Sequence, residues 1–237
     1  LNAIRNNSSS IIKKYNNLYL LGLGKLAAED SEFMRSTSVG NSYQYLYAQV
    51  TLLSKLNKPS QAMKVLQNSF NQFNLQYGDI PQPFVKRFYP LEFWPNIKRY
   101  AQKHRVDPFL ALALIREESR FDDKAASRSG ALGLMQIVGK TGADMAYGTG
   151  KLWTGPKMLL EVDQNIEFGV YYLSWLKRMF RGNLAYVLSG YNAGPGNTQQ
   201  WVGMYKNPDS DVFIKRIKYP ETREYVLKVR DSYIIYR

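Results

Sequence analysis

The chain has 237 residues, of which 45% are hydrophobic and 14% aromatic, a composition typical of a folded globular protein and not of a disordered one. It contains no cysteine and one histidine, which excludes disulfides, thiol catalysis and thiolate metal sites and almost excludes a histidine-based triad. The net charge of +13 predicts affinity for a polyanion: nucleic acid, anionic lipid or an acidic wall polymer.

The first part of the chain has the periodicity of short amphipathic helices. Apolar residues recur at three- and four-residue spacings over 43–55 and again over 60–73. The Lys58-Pro59 break between them is tight, so we expect an antiparallel helix pair of the kind found in solenoids.

A proline- and glycine-rich segment, 77–90, predicts an extended linker after this pair. We therefore divide the chain there into two predicted domains. Residues 1–88 are expected to form a solenoid-like region, the end of a larger superhelical array, and residues 89–237 a second helical domain.

The second part is also predicted to be helical. After a helix over 91–103, Asp107-Pro108 starts another, because Asp is a favoured N-cap and Pro fits the first turn. This helix is apolar nearly all round, which predicts burial, and it ends near Ser119. A polar loop is predicted over 120–131. Further helices are expected over 141–146, 163–180, 184–191, 197–204 and 221–236, and no strand is predicted.

Neither a membrane-spanning helix nor an export signal can be identified in the sequence. The longest apolar run, 109–115, is far too short to cross a bilayer. The sequence opens at Leu1 without a charged segment leading into an apolar run, so we expect any export signal to have been removed or to lie outside it.

Glu118 is the candidate acid of the chain. It follows Leu114 by four residues and Ile115 by three, at the end of the apolar helix. A carboxyl held against apolar surface has a raised pKa, because desolvation disfavours the anion, and can keep its proton near neutral pH. The ordinary alternative is a solvated glutamate at a helix end, since Glu is almost never fully buried.

Three later motifs could line a cleft with Glu118. They are Gly133-Leu134-Met135-Gln136, Tyr191-Asn192-Ala193-Gly194 and the Glu221 to Tyr225 segment. Gly130 and Gly133 let the backbone fold closely back on itself at the first motif, so that Gln136 can present its amide. Taken singly, each motif also has an ordinary explanation: an exposed glutamine, a helix stop and a favourable first-turn glutamate.

In this order and on a helical background, Glu118-Ser119, Ser127 and the three later motifs resemble the successive motifs of the soluble lytic transglycosylases of the Slt type, over residues 90–237. The resemblance implies an all-α fold, in which a lysozyme-like helical catalytic domain follows the end of a helical superstructure. Two positions depart from the family. Val138-Gly139 stands where Met-Pro is frequent, and Gly190 stands where Ala usually precedes the Tyr-Asn pair.

The resemblance also implies a chemistry, which is cleavage of peptidoglycan by a single acid without metal or cofactor. Glu118 would protonate the oxygen between N-acetylmuramic acid and N-acetylglucosamine, then accept the proton of the muramoyl C6 hydroxyl and leave a 1,6-anhydro end. The implied substrate-binding residues are Ser127, Gly133, Met135, Gln136, Tyr191, Asn192, Glu221 and Tyr225. Glycan strands and muropeptides are the expected partners, and a periplasmic location is implied.

Three alternatives stay open from the sequence. The first is a hydrolytic muramidase of the same fold, and the second is a non-catalytic peptidoglycan-binding or scaffold protein. A nucleic-acid-binding protein is the third, but it is supported by charge alone, and the basic residues are scattered along the chain instead of forming one dense stripe. We therefore expect no nucleic-acid partner.

Overall fold

The structure is a computed structural model that describes residues 13–15, 17–18, 20–24, 27, 29–30, 43–56, 58–72, 82–204 and 209–237. The chain divides into two compact units, Leu1–Glu92 and Phe93–Arg237. Helices account for most of the described residues in both units, which confirms the predicted all-α class. None of these helices is long and apolar enough to cross a membrane.

The first unit contains helices α1 (Tyr43–Lys55), α2 (Pro59–Gln72) and α3 (Gln82–Phe88), and α1 and α2 pack against each other as predicted. The prediction of an extended linker over 77–90 is wrong for residues 82–88, which form α3. Residues 77–81 lie outside the described residues. Pro83 stands in the first turn of α3, where a missing N–H costs nothing. The helix is held because Phe84 is fully buried, with its ring 5.6 Å from that of Tyr47.

The second unit carries the motifs singled out in the sequence. In chain order, its elements are α4 (Trp94–His104), α5 (Pro108–Ser119), β1 (Ala131–Leu132), β2 (Ile137–Val138), α6 (Gly139–Thr149), a short 3-10 helix (Pro156–Leu160), α7 (Val162–Met179), α8 (Leu184–Ala193), α9 (Pro195–Met204), α10 (Ser210–Arg216) and α11 (Pro220–Tyr236). The 3-10 helix and α10 were not predicted, since both are too short for a periodic pattern to stand out.

Helix α5 lies at the centre of this unit, packed between α4 and α11. Its predicted bounds are confirmed, and its residues from Leu110 to Ile115 are buried. The Asp107 side chain caps the first turn by accepting a hydrogen bond from the Phe109 N–H at 2.9 Å. The helix ends at Arg120, whose left-handed backbone (φ 53°) turns the chain away directly after Ser119.

A buried ion cluster fixes α7 to its neighbours. The Glu167 side chain is 1% exposed, and its two oxygens lie 2.5 Å from the Nζ atoms of Lys103 on α4 and Lys151 after α6. Burial raises the pKa of Glu167, but the hydrogen bonds from the two lysines outweigh it and leave the pKa below its usual value. Helix α7 is thereby held in one position relative to α4 and α6.

The prediction that no strand occurs is wrong at one place. Strands β1 and β2 form an antiparallel hairpin in which Ala131 pairs with Val138 and Leu132 with Ile137. Its four-residue connection is the Gly133 to Gln136 motif, with positive φ at Gly133 (73°) and Gln136 (46°). Strands of two residues are too short to show alternation, so the sequence pattern missed them.

Candidate active site

Glu118 lies on the wall of a cavity of about 580 Å³ in the second unit. The walls come from the end of α5, the hairpin and its preceding loop, α6, α7, α8 and α11. The lining residues are Glu117, Glu118, Ser127, Ser129, Ala131, Gln136, Ile137, Val138, Thr141, Tyr172, Tyr191, Asn192, Ala193, Gly194, Glu221 and Tyr225. Seven of the nine residues proposed from the sequence are therefore brought together around one space.

The surroundings of the Glu118 carboxyl favour its protonated form. Burial raises its pKa to about 7; the hydrogen bond from Tyr225 opposes this rise, and the negative charges of Glu117 and Glu221 add to it. The Tyr225 hydroxyl donates to Glu118 Oε1 at 2.7 Å. One side of the carboxyl stays open to the cavity, so that it can exchange a proton with a bound molecule.

Two tyrosine hydroxyls near Glu118 keep their protons across the neutral range. Burial raises the pKa of both Tyr191 and Tyr225 well above its usual value, and the Glu118 charge adds to the effect. The Tyr191 hydroxyl donates to the Met135 carbonyl oxygen at 2.8 Å, and its ring centroid lies 5.2 Å from that of Tyr172. The two rings form an aromatic wall beside the acid.

The hairpin turn is held from behind by Asn165 near the start of α7. The Asn165 Oδ1 accepts from the Met135 N–H at 2.7 Å, and its Nδ2 donates to the carbonyl oxygens of Leu132 at 2.9 Å and Leu159 at 2.7 Å. A Cβ on Gly133 would lie 2.3 Å from both Asn165 Nδ2 and the Leu159 oxygen, so this close approach requires glycine.

Hydrogen bonds within the protein fix the amide orientation of Gln136. Its Nε2 donates to the carbonyl oxygens of Ala125 at 3.2 Å and Gly133 at 2.9 Å. Both N–H groups are therefore used, and Oε1 is the amide atom left to accept a hydrogen bond from a ligand.

In the Asn192 amide the oxygen, and not the nitrogen, is used within the protein, because Oδ1 accepts a hydrogen bond from the Thr222 hydroxyl at 2.7 Å. The Nδ2 group is then the part of this amide left to donate into the cavity. On the loop before the hairpin, Ser127 Oγ accepts from the Ala131 N–H at 2.9 Å and lies 2.9 Å from Ser129 Oγ. The cavity thus has side-chain donors and acceptors in fixed orientations.

Four hydroxyl groups of α11 donate hydrogen bonds to residues that come earlier in the chain. Three of the four accepting residues lie on the cavity wall. The hydrogen bonds, each 2.7 Å long, run from Thr222 to Asn192, from Tyr225 to Glu118, from Ser232 to Glu117 and from Tyr233 to Asp107, the N-cap of α5. Helix α11 therefore sets the position of both ends of α5 and of the last turn of α8.

Gly133 and Met135, both predicted to bind substrate, do not lie on the cavity wall. Met135 is fully buried, and its sulfur would lie 2.3 Å from a Cβ on Gly169. Because Gly133 and Met135 pack against Asn165 and α7, we give them the role of holding the hairpin turn in place. Gln136, which follows them, does lie on the cavity wall.

Several residues of the site were not predicted from the sequence. Glu117, Ser129, Thr141 and Tyr172 line the cavity, and Asn165 and Ser232 hold lining residues in place. The one available signal was Asn165, a polar residue on the otherwise apolar face of α7, where it is 1% exposed. Among the residues that the structure describes, no group of acidic or histidine side chains has a metal-binding arrangement.

Comparison with known proteins finds a matching family model and several similar proteins. The family model of the transglycosylase SLT domain matches residues 95–214. The soluble lytic murein transglycosylase of Salmonella typhimurium is 35% identical over 147 residues, which cover 60% of this chain and 22% of that protein. The membrane-bound lytic murein transglycosylase C of Edwardsiella ictaluri is 28% identical over 213 residues, which cover 81% of this chain and 57% of that protein. The chain thus spans about a fifth to three fifths of the length of these relatives.

Two solved structures have a similar fold. The lytic transglycosylase Slt of Pseudomonas aeruginosa, solved as an inactive mutant, superimposes with a TM-score of 0.73 at 26% identity, covering 99% of this chain and 36% of that one. The 70-kDa soluble lytic transglycosylase of Escherichia coli gives a TM-score of 0.64 at 23% identity, covering 97% of this chain and 46% of that one. The lysozyme-like helical class predicted from the motifs is confirmed.

Proposed function

Because the chain belongs to the transglycosylase SLT family, we propose that it cleaves the β-1,4 bond between N-acetylmuramic acid and N-acetylglucosamine in peptidoglycan and leaves 1,6-anhydro-N-acetylmuramic acid ends. One observation carries this proposal. It is a carboxyl with a pKa of about 7, held by a tyrosine hydroxyl on the wall of a cavity large enough for a sugar. An acid of this pKa is partly protonated at neutral pH and can both give and regain a proton.

In the first step, protonated Glu118 donates to the glycosidic oxygen while the bond from that oxygen to C1 of the muramoyl residue breaks. The leaving sugar departs with its new hydroxyl, and positive charge develops on the ring oxygen and C1, as in other glycosidic cleavages. Three carboxyl groups line the cavity, and its described lining residues include no Lys, Arg or His, which favours a transition state of positive charge.

In the second step, the Glu118 carboxylate takes the proton of the muramoyl C6 hydroxyl as that oxygen bonds to C1. The acid is regenerated, the 1,6-anhydro ring closes, and no water is added. The Tyr225 hydroxyl keeps its hydrogen bond to Oε1 through both steps, so the carboxyl keeps its place as its charge changes.

The fixed amides give the cavity the polarity that an acetamido group requires. Gln136 Oε1 can accept a hydrogen bond from the N–H of the acetamido group, and Asn192 Nδ2 can donate one to the carbonyl oxygen of that group. This supports N-acetylated sugars as substrates. A wall polymer with peptide carboxylates also suits a chain of net charge +13, and a periplasmic location follows from such a substrate.

The test compares the wild-type chain with Glu118→Gln on purified sacculi, with muropeptides identified by mass spectrometry. We expect wild type to release products lighter by one water than the hydrolytic products, and the variant to lose at least about a thousandfold in rate, since loss of the acid removes both proton transfers. Glu224→Gln makes the same chemical change at an exposed position of α11 and is the control.

Each contrary outcome would identify a different function. Products that carry the added water would mean a hydrolytic muramidase. Binding to sacculi without release of soluble muropeptides by wild type would mean a non-catalytic protein. Full activity of Glu118→Gln would mean that Glu118 is not the catalytic acid.

A further inference from the structure

Two serines on one turn line the cavity beside the hairpin. Ser127 and Ser129 both lie on the cavity wall, and their Oγ atoms are 2.9 Å apart. Ser127 is among the substrate-binding residues that the family resemblance implies, whereas Ser129 has no role in the proposed function. The hydrogen bond between the two hydroxyls decides what Ser127 can offer a ligand.

The turn that carries the pair is closed by hydrogen bonds within the protein. The Ser127 N–H donates to the Ala131 carbonyl oxygen at 2.9 Å, and the Ala131 N–H donates to Ser127 Oγ at 2.9 Å. The Gly130 N–H donates to the Ser127 carbonyl oxygen at 3.1 Å, with Gly130 in a left-handed conformation (φ 80°). Ala131 is the first residue of β1, so the hairpin holds the turn and gives the Ser127 hydroxyl a fixed place on the cavity wall.

The two hydroxyls of the pair carry two protons, and one of these lies between the two oxygens. A serine hydroxyl donates one hydrogen bond and accepts up to two. If Ser129 donates to Ser127, both lone pairs of Ser127 Oγ are used, by Ser129 and by the Ala131 N–H, and Ser127 can only donate to a ligand. If Ser127 donates to Ser129 instead, its proton is used and it can only accept.

The rest of the cavity wall is rich in acceptors. Three carboxyl groups and Gln136 Oε1 accept hydrogen bonds, whereas the hydroxyl protons of Tyr191 and Tyr225 are already donated to partners within the protein. The amide carbonyl oxygens of N-acetylated sugars and of peptides need donors. A free proton on Ser127 would therefore supply the kind of group of which this wall has few.

We propose that Ser129 is a positioning residue whose hydroxyl donates to Ser127 Oγ and so directs the Ser127 proton to an amide carbonyl oxygen of the glycan. Hydrogen bonds that continue from one hydroxyl to the next strengthen one another, so Ser129 also makes Ser127 the better donor. The inference rests on the proposed function, since that function supplies the substrate. Peptidoglycan offers such an oxygen in two places, the N-acetyl groups of its sugars and the first amide of its peptide stem, and the experiment distinguishes them.

The experiment measures kcat and KM on soluble, uncrosslinked glycan strands for wild type, Ser129→Ala, Ser129→Thr and Ser210→Ala. In Ser129→Ala we expect KM to rise about three- to tenfold and kcat to stay within about twofold, because the lost hydrogen bond weakens binding of substrate and transition state alike. Ser129→Thr keeps the hydroxyl and should have a KM within about twofold of wild type. Ser210 is exposed at the start of α10 and outside the cavity wall, so its variant should match wild type.

A double-mutant cycle tests the route through Ser127. If Ser129 acts through Ser127, its effect disappears once the Ser127 hydroxyl is gone, so KM should differ by less than about twofold between Ser127→Ala and the double variant. A Ser129 that merely stabilises the turn would have the same effect with and without the Ser127 hydroxyl. That result would overturn the inference, as would an unchanged KM in Ser129→Ala.

Two modified substrates identify the oxygen, and they need no change at Ser127, whose hydroxyl also closes the turn. Strands stripped of their peptides lack the stem amide, and de-N-acetylated strands lack the acetyl carbonyl. The ratio of KM between Ser129→Ala and wild type should fall to about one on the strands that lack the oxygen bound by Ser127. An unchanged ratio on both modified strands would contradict the inference, because no amide oxygen would then be involved.

Binding separates a failure of this inference from a failure of the proposed function. Should wild type cleave none of the strands, the proposed function fails, and calorimetric titration of the intact strands gives Kd in place of KM. A Kd for Ser129→Ala about three- to tenfold above that of wild type would still support the role of Ser129. Equal Kd values, or no binding by wild type, would rule it out.

Discussion

At the scale of single residues, Glu118 shows how position along a helix and contacts from distant segments combine. The sequence places this glutamate at the end of an apolar helix, and from this a raised pKa could be predicted. In the structure, burial raises the pKa of Glu118, and the charges of Glu117 and Glu221 raise it further. The hydrogen bond from Tyr225 lowers it in part. Tyr225 lies 107 residues further along the chain, and no local pattern reveals that its hydroxyl meets Glu118.

The raised pKa of Glu118 predicts a pH-dependent difference in stability between wild type and Glu118→Gln. Because the pKa is about 7 in the folded state and about 4.5 otherwise, the folded chain binds the proton more tightly. The stabilisation is complete below pH 4.5 and is lost as the pH rises through 7. From pH 5 to pH 8 the wild type should lose about 2 kcal/mol of unfolding free energy that the variant does not lose.

Urea denaturation of both proteins at several pH values measures this difference. Groups common to both proteins, such as the paired carboxylates of Asp163 and Glu167, cancel in the comparison. A constant difference in unfolding free energy from pH 5 to pH 8 would mean that Glu118 has an ordinary pKa.

At the scale of helices and turns, the sequence predicts those elements that have strong local signals and misses those that are only a few residues long. Asp107-Pro108 fixed the start of α5, since cap and first turn are properties of adjacent residues. The hairpin 131–138 was missed because its strands are two residues long and its turn depends on Asn165, which belongs to another helix. The prolines of 77–90 predict a break in helical structure, whereas Pro83 stands in the first turn of α3, where proline is tolerated.

Gly190 on α8 marks a close approach to neighbouring side chains of α7 and its end. A Cβ at this position would lie 2.7 Å from Phe180 Cε2 and 3.1 Å from Leu176 Cδ2. The glycine therefore makes room for a phenylalanine between α7 and α8. We predict that Gly190→Ala lowers the unfolding free energy by about 1–3 kcal/mol, because the buried ring has little space to move.

Thermal or chemical denaturation tests this, with Gly203→Ala as the matched control. Gly203 also lies in a helix, but a Cβ there meets nothing within 4 Å, so this variant should be neutral or slightly more stable. Replacing Phe180 by Leu in the Gly190→Ala background should restore part of the loss, because Leu lacks the clashing ring atoms. Equal stability of the Gly190 and Gly203 variants would show that the space is not limiting.

At the scale of the whole molecule, charge is distributed unevenly. The chain carries +13 overall, while the cavity wall holds three carboxyls and, among its described residues, no Lys or Arg. Under the proposed function, attraction to the acidic polymer and chemistry on it would therefore fall to different parts of the surface. Composition predicts a basic chain, but it cannot predict the acidic cavity, since Glu117, Glu118 and Glu221 become neighbours only through the packing of α5 against α11.

The net charge predicts that binding to sacculi depends strongly on salt. In the Glu118→Gln variant, which we expect to bind glycan without cleaving it, affinity should fall roughly tenfold or more between about 0.05 M and about 0.5 M sodium chloride, since salt screens exposed charges. Co-sedimentation with purified sacculi measures this. Binding that does not change with salt would mean that contacts inside the cavity, and not the basic surface, supply the affinity.

The hydroxyls of α11 have a consequence for biosynthesis. Translation proceeds from the amino terminus, so Glu118 leaves the ribosome long before Tyr225 and Ser232, which hold it and its neighbour in place. A nascent chain that stops short of α11 would carry the carboxyl without the helix that orients it. The same holds for a chain clipped by a protease between α10 and α11. Under the proposed function, the chain would gain its activity only after α11 has been synthesised and has packed against α5.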